Sequence, residues 1–214
     1  MYVPAHFAET RLQVLTDLIR RHPFATFVAA AAGMAVAEHI PLVLRSCGAS
    51  GTLVGHVARA NPIWKRAPSG TDVLLIFQGP DHYISPRWYP TKQEHGKVVP
   101  TWNYAVVHVR GVVTWKREID WFRAHLDELT GEHEAGAEKP WRMTDAPDDY
   151  LQGMMLGIVG LEVEIRELEG KWKISQNRAA RDIHGVMEGL DSLGTDQAAE
   201  MLKMVRSAGG TGDV

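Results

Sequence analysis

Between Phe24 and Lys116 extended segments follow one another at short intervals, divided by turn residues and by no long helical pattern. Phe24 to Ala31 and Ala35 to Arg45 flank Gly33 and predict a hairpin, with Pro41 at a sheet edge or a bulge. Thr52 to Ala60 predicts a strand that Asn61-Pro62 breaks, and Lys65 to Gly70 a polar turn. Val73 to Gln78, five apolar residues and a Gln, reads as a strand buried on both faces, and Gly79-Pro80-Asp81 as a turn into a short strand from His82 to Ser85. Val99 to Lys116 is the longest extended stretch, with Gly111 marking a bulge or bend. Further on, Gly157 to Glu167 alternates as a strand, and Glu169-Gly170 predicts a turn into Trp172 to Ile174. About seven strands with few intervening helices imply a closed or partly open antiparallel barrel, mainly β with peripheral helices.

Helical spacing of Phe7, Leu12, Leu15, Leu18 and Ile19 predicts a helix from Phe7 to Arg21, stopped by Pro23. Ile119, Phe122, Leu126 and Leu129 predict another over Glu118 to Glu134, ended by Gly131 and Gly136. Asp148-Asp149 after Pro147 suits a short helix start. Ser175 reads as the N-cap of a helix through Leu190, and Thr195 as that of a last one through Val205. The expected organisation is one domain over residues 1–194, then a C-terminal helix and, from Ser207, a disordered tail.

The chain of 214 residues is long enough to bury a substantial core, and its 45% hydrophobic and 23% charged residues are ordinary for a soluble protein. The formal net charge of -3 gives no sign of a nucleic-acid partner. A single cysteine, Cys47, permits neither an internal disulfide nor a thiolate zinc site, reads as inert, and fits a reducing, cytoplasmic setting. The opening MYVPAHFAETR lacks the pattern of a secretory signal, and the weakly apolar run Phe24 to Ala37 falls short of the ~20 residues that span a bilayer. No membrane segment is expected. The ten histidines include no HExxH, there is no G-x-S-x-G elbow, and no paired carboxylates stand ready for acid–base work.

What remains is the stretch from Leu53 to Tyr104. It holds three of seven tryptophans, three of five tyrosines and six of eleven prolines, interleaved with His56, Arg59, Asn61, Ser85, Arg87, Lys97, Thr101 and Asn103. Arg, Asn and His sit poorly in a core without partners, whereas aromatic walls with a few fixed polar groups and cations suit a flat, partly anionic ligand.

The phrases GHVARANP (55–62), FQGPDHYISPRWY (77–89), VPTWNY (99–104) and KISQNR (173–178), with the opening MYVPAHF and HPFATFV, resemble the PaiB-type FMN-binding negative transcriptional regulators, in the same order from Met1 to about Gly194. KISQN stands where that family more often has KLSQN, an exchange of similar apolar volume. The resemblance implies an FMN-binding split barrel of six strands with peripheral helices, a homodimer, and FMN held at the dimer interface.

On that reading Arg59 meets the phosphate or the flavin, the alternative being a salt bridge near a barrel end. His56 is either a ligand contact or a buried histidine tied to a backbone carbonyl. Tyr83, Ser85 and Arg87 alternate onto one face and, with Trp88 and Tyr89, line the flavin or pack a dimer contact. In VPTWNY, Thr101 and Asn103 donate to phosphate or a ring carbonyl, or are satisfied by backbone, and Trp102 lies opposite them. Asn61 closes the first phrase, and Lys173, Gln176 and Arg178 close the site from a second subunit, with Ser175 as a helix cap as the plainer account of that phrase. Two functions follow: negative regulation of transcription, through DNA or another regulator, or FMN-dependent oxidoreduction of a small substrate, like a flavin reductase or a pyridoxamine-phosphate oxidase. No helix-turn-helix phrase supports direct DNA contact.

Overall fold

The computed structural model describes residues 1–31, 33–46 and 51–209. Its strands are β1 (Ala8–Glu9), β2 (Phe24–Ala31), β3 (Met34–Pro41), β4 (Val43–Ser46), β5 (Thr52–Ala58), β6 (Asp72–Ile84), β7 (Thr101–Lys116) and β8 (Ile158–Lys173). Its helices are α1 (Leu12–Arg21), α2 (Ile63–Arg66), α3 (Thr91–His95), α4 (Ile119–Glu134), α5 (Asp148–Leu156), α6 (Ala180–Asp191) and α7 (Asp196–Gly209). The strands form one sheet of order β3-β2-β6-β7-β8-β5-β4, with β1 added on β8. The pairings of β1 with β8, β2 with β3 and β6, and β5 with β4 and β8 are all antiparallel. Two compact units divide the chain. One comprises Met1–Leu18, Gln78–Val107 and Glu169–Val214; the other, Ile19–Phe77 and His108–Leu168.

The second unit contains the barrel. Its two edge strands, β3 and β4, lie at opposite ends of the hydrogen-bonded order yet are separated by Leu42 alone. A sheet whose edges are joined by one residue must curl until they meet. They meet without a shared ladder, so the cylinder is split along that line. A Cβ at Gly55 of β5 would strike the Leu42 side chain and the Pro41 carbonyl, which records how closely the two ends approach. Period-two burial follows from this curl: Ala25, Phe27 and Ala29, then Val73, Leu75 and Phe77, then Val109 and Val113, then Leu161 and Val163 point into one apolar interior. The predicted hairpin is present in register, with Thr26 opposite His39 and Ala30 opposite Ala35; Pro41 lies on an edge strand as expected, but the second arm, read through to Arg45, ends there and Val43–Ser46 pairs with β5 instead. β6, by contrast, alternates between buried and half-exposed residues rather than being buried on both faces.

The first unit carries α1, α3, α6 and α7 on the remaining lengths of β6, β7 and β8. Two predicted turns fall here and are absent: β6 runs straight through Gly79-Pro80-Asp81, and β8 straight through Glu169-Gly170. Both glycines serve packing instead. A Cβ on Gly79 would lie 2.8 Å from Leu18 Cδ1, and one on Gly170 would overlap Leu15, so α1 beds its apolar stripe on bare backbone. The first helix begins at Leu12, with Phe7 buried in a preceding 3-10 turn. Ser175 caps no helix, since α6 begins only at Ala180. Thr195 does cap α7, its Oγ1 accepting from Ala198 N at 3.3 Å, and that helix runs to Gly209, taking in the start of the expected tail. In the second unit α4 continues through Gly131 to Glu134, and helix α2 takes in Lys65 and Arg66, the first two residues of the polar turn expected over Lys65 to Gly70. Cys47 with most of the loop read over Ser46 to Gly51, and the tail beyond Gly209, lie outside the described residues. Among the described residues no helix is long and apolar enough to cross a membrane.

Candidate functional site

Near its start β7 carries one member of a buried polar pair, Asn103, whose partner is Ser175. Asn103 is 1% exposed, and its Nδ2 donates to Ser175 Oγ at 2.9 Å. Ser175, just past β8, has φ +68°, the one non-glycine residue described with positive φ. Gln176 holds the same turn, its Oε1 accepting from Ile174 N at 2.8 Å and its Nε2 donating to Trp172 O, while Arg178 N donates back to Ser175 O at 2.9 Å. A left-handed serine costs backbone energy and persists where surrounding bonds over-determine it. Ser175→Ala is expected to lower stability by about 2 kcal/mol in urea unfolding, because Asn103 is left buried without its partner; Ser175→Gly should lose less, since glycine relaxes the φ.

Cations gather around this turn. Lys173 Nζ donates to Thr101 Oγ1 in a very short contact. Burial holds the Lys173 ammonium below its usual range, Tyr104 opposes that, and Lys171 and Arg178 add to it as like charges. Lys171 donates to Tyr2 O at 3.0 Å and lies 5.4 Å from the Tyr104 ring centroid. The Arg178 guanidinium lies 5.1 Å from the Tyr89 ring centroid. Among the described residues none of the three forms a salt bridge. Three neighbouring cations without a carboxylate make a site for an anion.

The side of β7 opposite Thr101 and Asn103 carries aromatic area. Tyr83 and Trp102 are 43% and 53% exposed and meet edge to face at 6.1 Å. Ser85 is buried, its Oγ accepting from both N and Nε of Arg87 at 3.3 Å to cap the 3-10 turn Pro86–Trp88. Trp88 lays its indole on Gly189 of α6. Tyr89 is 2% exposed and its hydroxyl has no well-formed hydrogen bond. Burial pushes that hydroxyl's pKa up, the Arg178 charge opposing.

The other three expected site residues belong to the second unit. Arg59 lies beyond the end of β5, so strand alternation does not orient it; it is exposed, with Nε donating to Leu156 O at 2.5 Å and Nη2 to Ile158 O at 3.2 Å. Its partners are carbonyls, where a carboxylate was the alternative expected. Asn61 Oδ1 accepts from Ile63 N at 2.9 Å at the start of α2. His56 Nδ1 is 3.1 Å from His125 Nε2, so its partner is a second ring and not a backbone carbonyl. Sequence reasoning passed over His125 and Trp121, which share a face of α4 at i, i+4 spacing, a signal present in the pattern. It also read Ser175 as a cap, where the structure bonds it to Asn103, and did not bring Tyr104 together with Lys171.

The family model described as "Putative FMN-binding domain" matches residues 1–167. The protease synthase and sporulation protein PAI 2 of Bacillus subtilis is 30% identical over 205 residues, covering 96% of each chain. An uncharacterized protein of Aspergillus fumigatus is 32% identical over 255 residues, covering 98% of each. Among solved structures, the FAD and heme binding protein of Mycobacterium smegmatis superposes with a TM-score of 0.58 at 18% identity, over 78% of this chain and 73% of that one. The fold is that of flavin-binding split barrels. The chain belongs to the FMN-binding domain family and is a homologue of PAI 2, and FMN is its cofactor.

Proposed function

We propose that the part of the first unit where β7 begins and β8 ends holds FMN, with Thr101 and Lys173 on one side of β7 and the Tyr83–Trp102 pair on the other, and that the protein in this state acts as a negative regulator of transcription. The observation that carries the site is the group Lys171, Lys173 and Arg178, which has the Thr101 hydroxyl beside it and, among the described residues, no carboxylate in a salt bridge with it. FMN's phosphate dianion fits this donor set, and its flat ring fits two exposed aromatic side chains meeting edge to face at 73°. The orphaned Tyr89 hydroxyl next to Arg178 adds a donor that the fold alone leaves unused. Bound flavin would supply electron-transfer chemistry; the chain's own residues bind it, orient it and set the charge around its phosphate. Lys173 and Arg178 supply charge, Thr101 and Asn103 with Ser175 supply polar edges, and Gln176 keeps the turn in place.

Regulation is supported by likeness to PAI 2 along nearly the whole chain. Exposed Tyr83, Val99 and Trp102, the second 65% exposed, form an apolar margin that a second copy would cover, in keeping with a homodimer that shares the cofactor. The test starts from flavin-stripped protein. Saturable absorbance changes on adding FMN, a dimer by sedimentation, and salt-sensitive retardation of promoter DNA are expected, with no flavin reduction by NADH at a useful rate. Rapid reduction by NADH without DNA retardation would replace regulation by an oxidoreductase acting on a small substrate. No FMN binding at micromolar protein would remove the site itself.

A further inference from the structure

The second unit contains a buried polar cluster that the FMN face does not use. Helix α4 lies on the barrel through Phe122 and His125, 2% and 0% exposed. Next to them, Trp121 packs so tightly on Gly160 of β8 that any side chain there would overlap the indole. Its Nε1 donates to Glu162 Oε1 at 2.7 Å, and Glu162 Oε2 accepts from Lys116 Nζ at 2.9 Å. Arg45 of β4 bridges the helix and the barrel, 2.7 Å from Glu128 and 3.7 Å from Glu162, with its guanidinium 5.7 Å from the Trp121 ring centroid. His125 stacks on Trp121 at 5.0 Å and turns its Nε2 toward His56 Nδ1 of β5 at 3.1 Å; its own Nδ1 is buried without a partner.

Only one proton fits between two ring nitrogens 3.1 Å apart. If it belonged to His56, neutral His125 would carry its other proton on Nδ1, a buried donor with no acceptor. A bare lone pair there is less costly than an unmade N–H bond. His125 is therefore the Nε2–H tautomer, donating to His56 Nδ1, and His56 carries its proton on Nε2. An additional proton has no good place. On His125 Nδ1 it buries both a charge and an orphan donor; on His56 Nδ1 it sets two N–H groups against each other. Docked α4 requires both rings neutral.

We propose that α4 is an acid-released latch, held on the barrel by the neutral His56–His125 contact and let go when the pair takes up a proton. The charged groups around the pair favour that direction. Arg45 and Lys116 repel a new positive charge, while Glu162 and Glu128 are already occupied by them; Arg123 of α4 faces Asp148 of α5 at 4.0 Å. Burial pulls both imidazoles below their usual range, His125 to about 4, with the charges of His56 and Arg45 adding to it. Above pH 6.5 neither the docked nor the released helix binds the proton, so docking is unaffected. Between pH 6.5 and 4 only the released helix binds it, so docking weakens as pH falls, and below 4 the loss is complete. Glu162 acts in the same sense: burial raises its pKa, but hydrogen bonds from Lys116 and Trp121 outweigh that and lower it, so its support of Trp121 is lost only in acid.

The test is hydrogen exchange of the full chain at pH 7 and pH 5, corrected for intrinsic rates. Protection of residues 119–134 should fall about 20-fold at pH 5, the linkage expected for one histidine moving from about 4 to its free value. β2, β6 and β7 should keep theirs. In His125→Phe the fall should vanish. A helix equally protected at both pH values, a loss shared by the whole barrel, or a fall that survives in His125→Phe would overturn the latch. Should that variant not fold, long-range proton–nitrogen spectra of the wild-type rings decide: a bare His125 Nε2 at pH 7, or titration near 6.5, overturns it, and an Nε2–H that resists protonation to pH 5 supports it.

Discussion

Gly111→Ala should lower the stability of this protein by about 3 kcal/mol or more, read as a fall in the urea midpoint at unchanged slope. Gly111 sits in the middle of β7, and a Cβ there would overlap the Glu164 carbonyl and the Val163 side chain of β8. The obstacle is backbone within the same sheet, so relief requires moving a strand rather than rotating a side chain. Overpacking that no rotamer can relieve lies at the upper end of what single substitutions cost. The control is Gly131→Ala. Gly131 lies in α4 with nothing within 4 Å of its would-be Cβ, and alanine there should add about 0.5–1 kcal/mol by favouring the helix. If both substitutions prove neutral, the close approach of β7 to β8 is looser than described.

Lys173→Met should weaken FMN binding about 30-fold or more in an absorbance titration, roughly 2 kcal/mol for one charge-assisted contact to phosphate. Methionine keeps the apolar stem packed, so stability should change little. The two readouts together decide the role of the lysine. A strong loss of affinity in a protein of unchanged urea midpoint places charge at the phosphate. A loss of stability with affinity preserved assigns Lys173 to holding Thr101 and the end of β7. Arg59→Ala is the comparison: its guanidinium is exposed and bonded to Leu156 and Ile158 carbonyls, so its removal should shift affinity much less.

Some of this was legible in the residues and some was not, for identifiable reasons. The β2–β3 hairpin could be read because Gly33 supplies the positive φ of +81° its turn needs and Pro41 can only end an edge strand. The start of α7 could be read from Thr195, whose hydroxyl has one obvious task. Gly79-Pro80-Asp81 and Glu169-Gly170 were misread because glycine marks both turns and close approaches, and only the tertiary partners, Leu18 and Leu15, tell them apart. Ser175 was misread for a related reason. Its hydroxyl suits a cap, yet it is spent on Asn103, 72 residues away. The PaiB-like phrases led to the cofactor and the fold, but their side chains are distributed over two units. Thr101, Asn103, Lys173, Gln176 and Arg178 converge in one of them; His56, Arg59 and Asn61 each have partners in the other.

The single residue between β3 and β4 has a further consequence. With Leu42 buried and its amide donating to Pro23 O at 2.9 Å, the join works as a fixed clasp and not as a flexible loop. Adding one residue there would rotate β4 by half a pleat and turn Val43 and Leu44 to opposite faces. Cutting the chain there would leave two unguarded rims, each with backbone groups seeking a neighbour. The barrel's circumference, and its resistance to pairing with foreign strands, are thus set by a connection of a single residue.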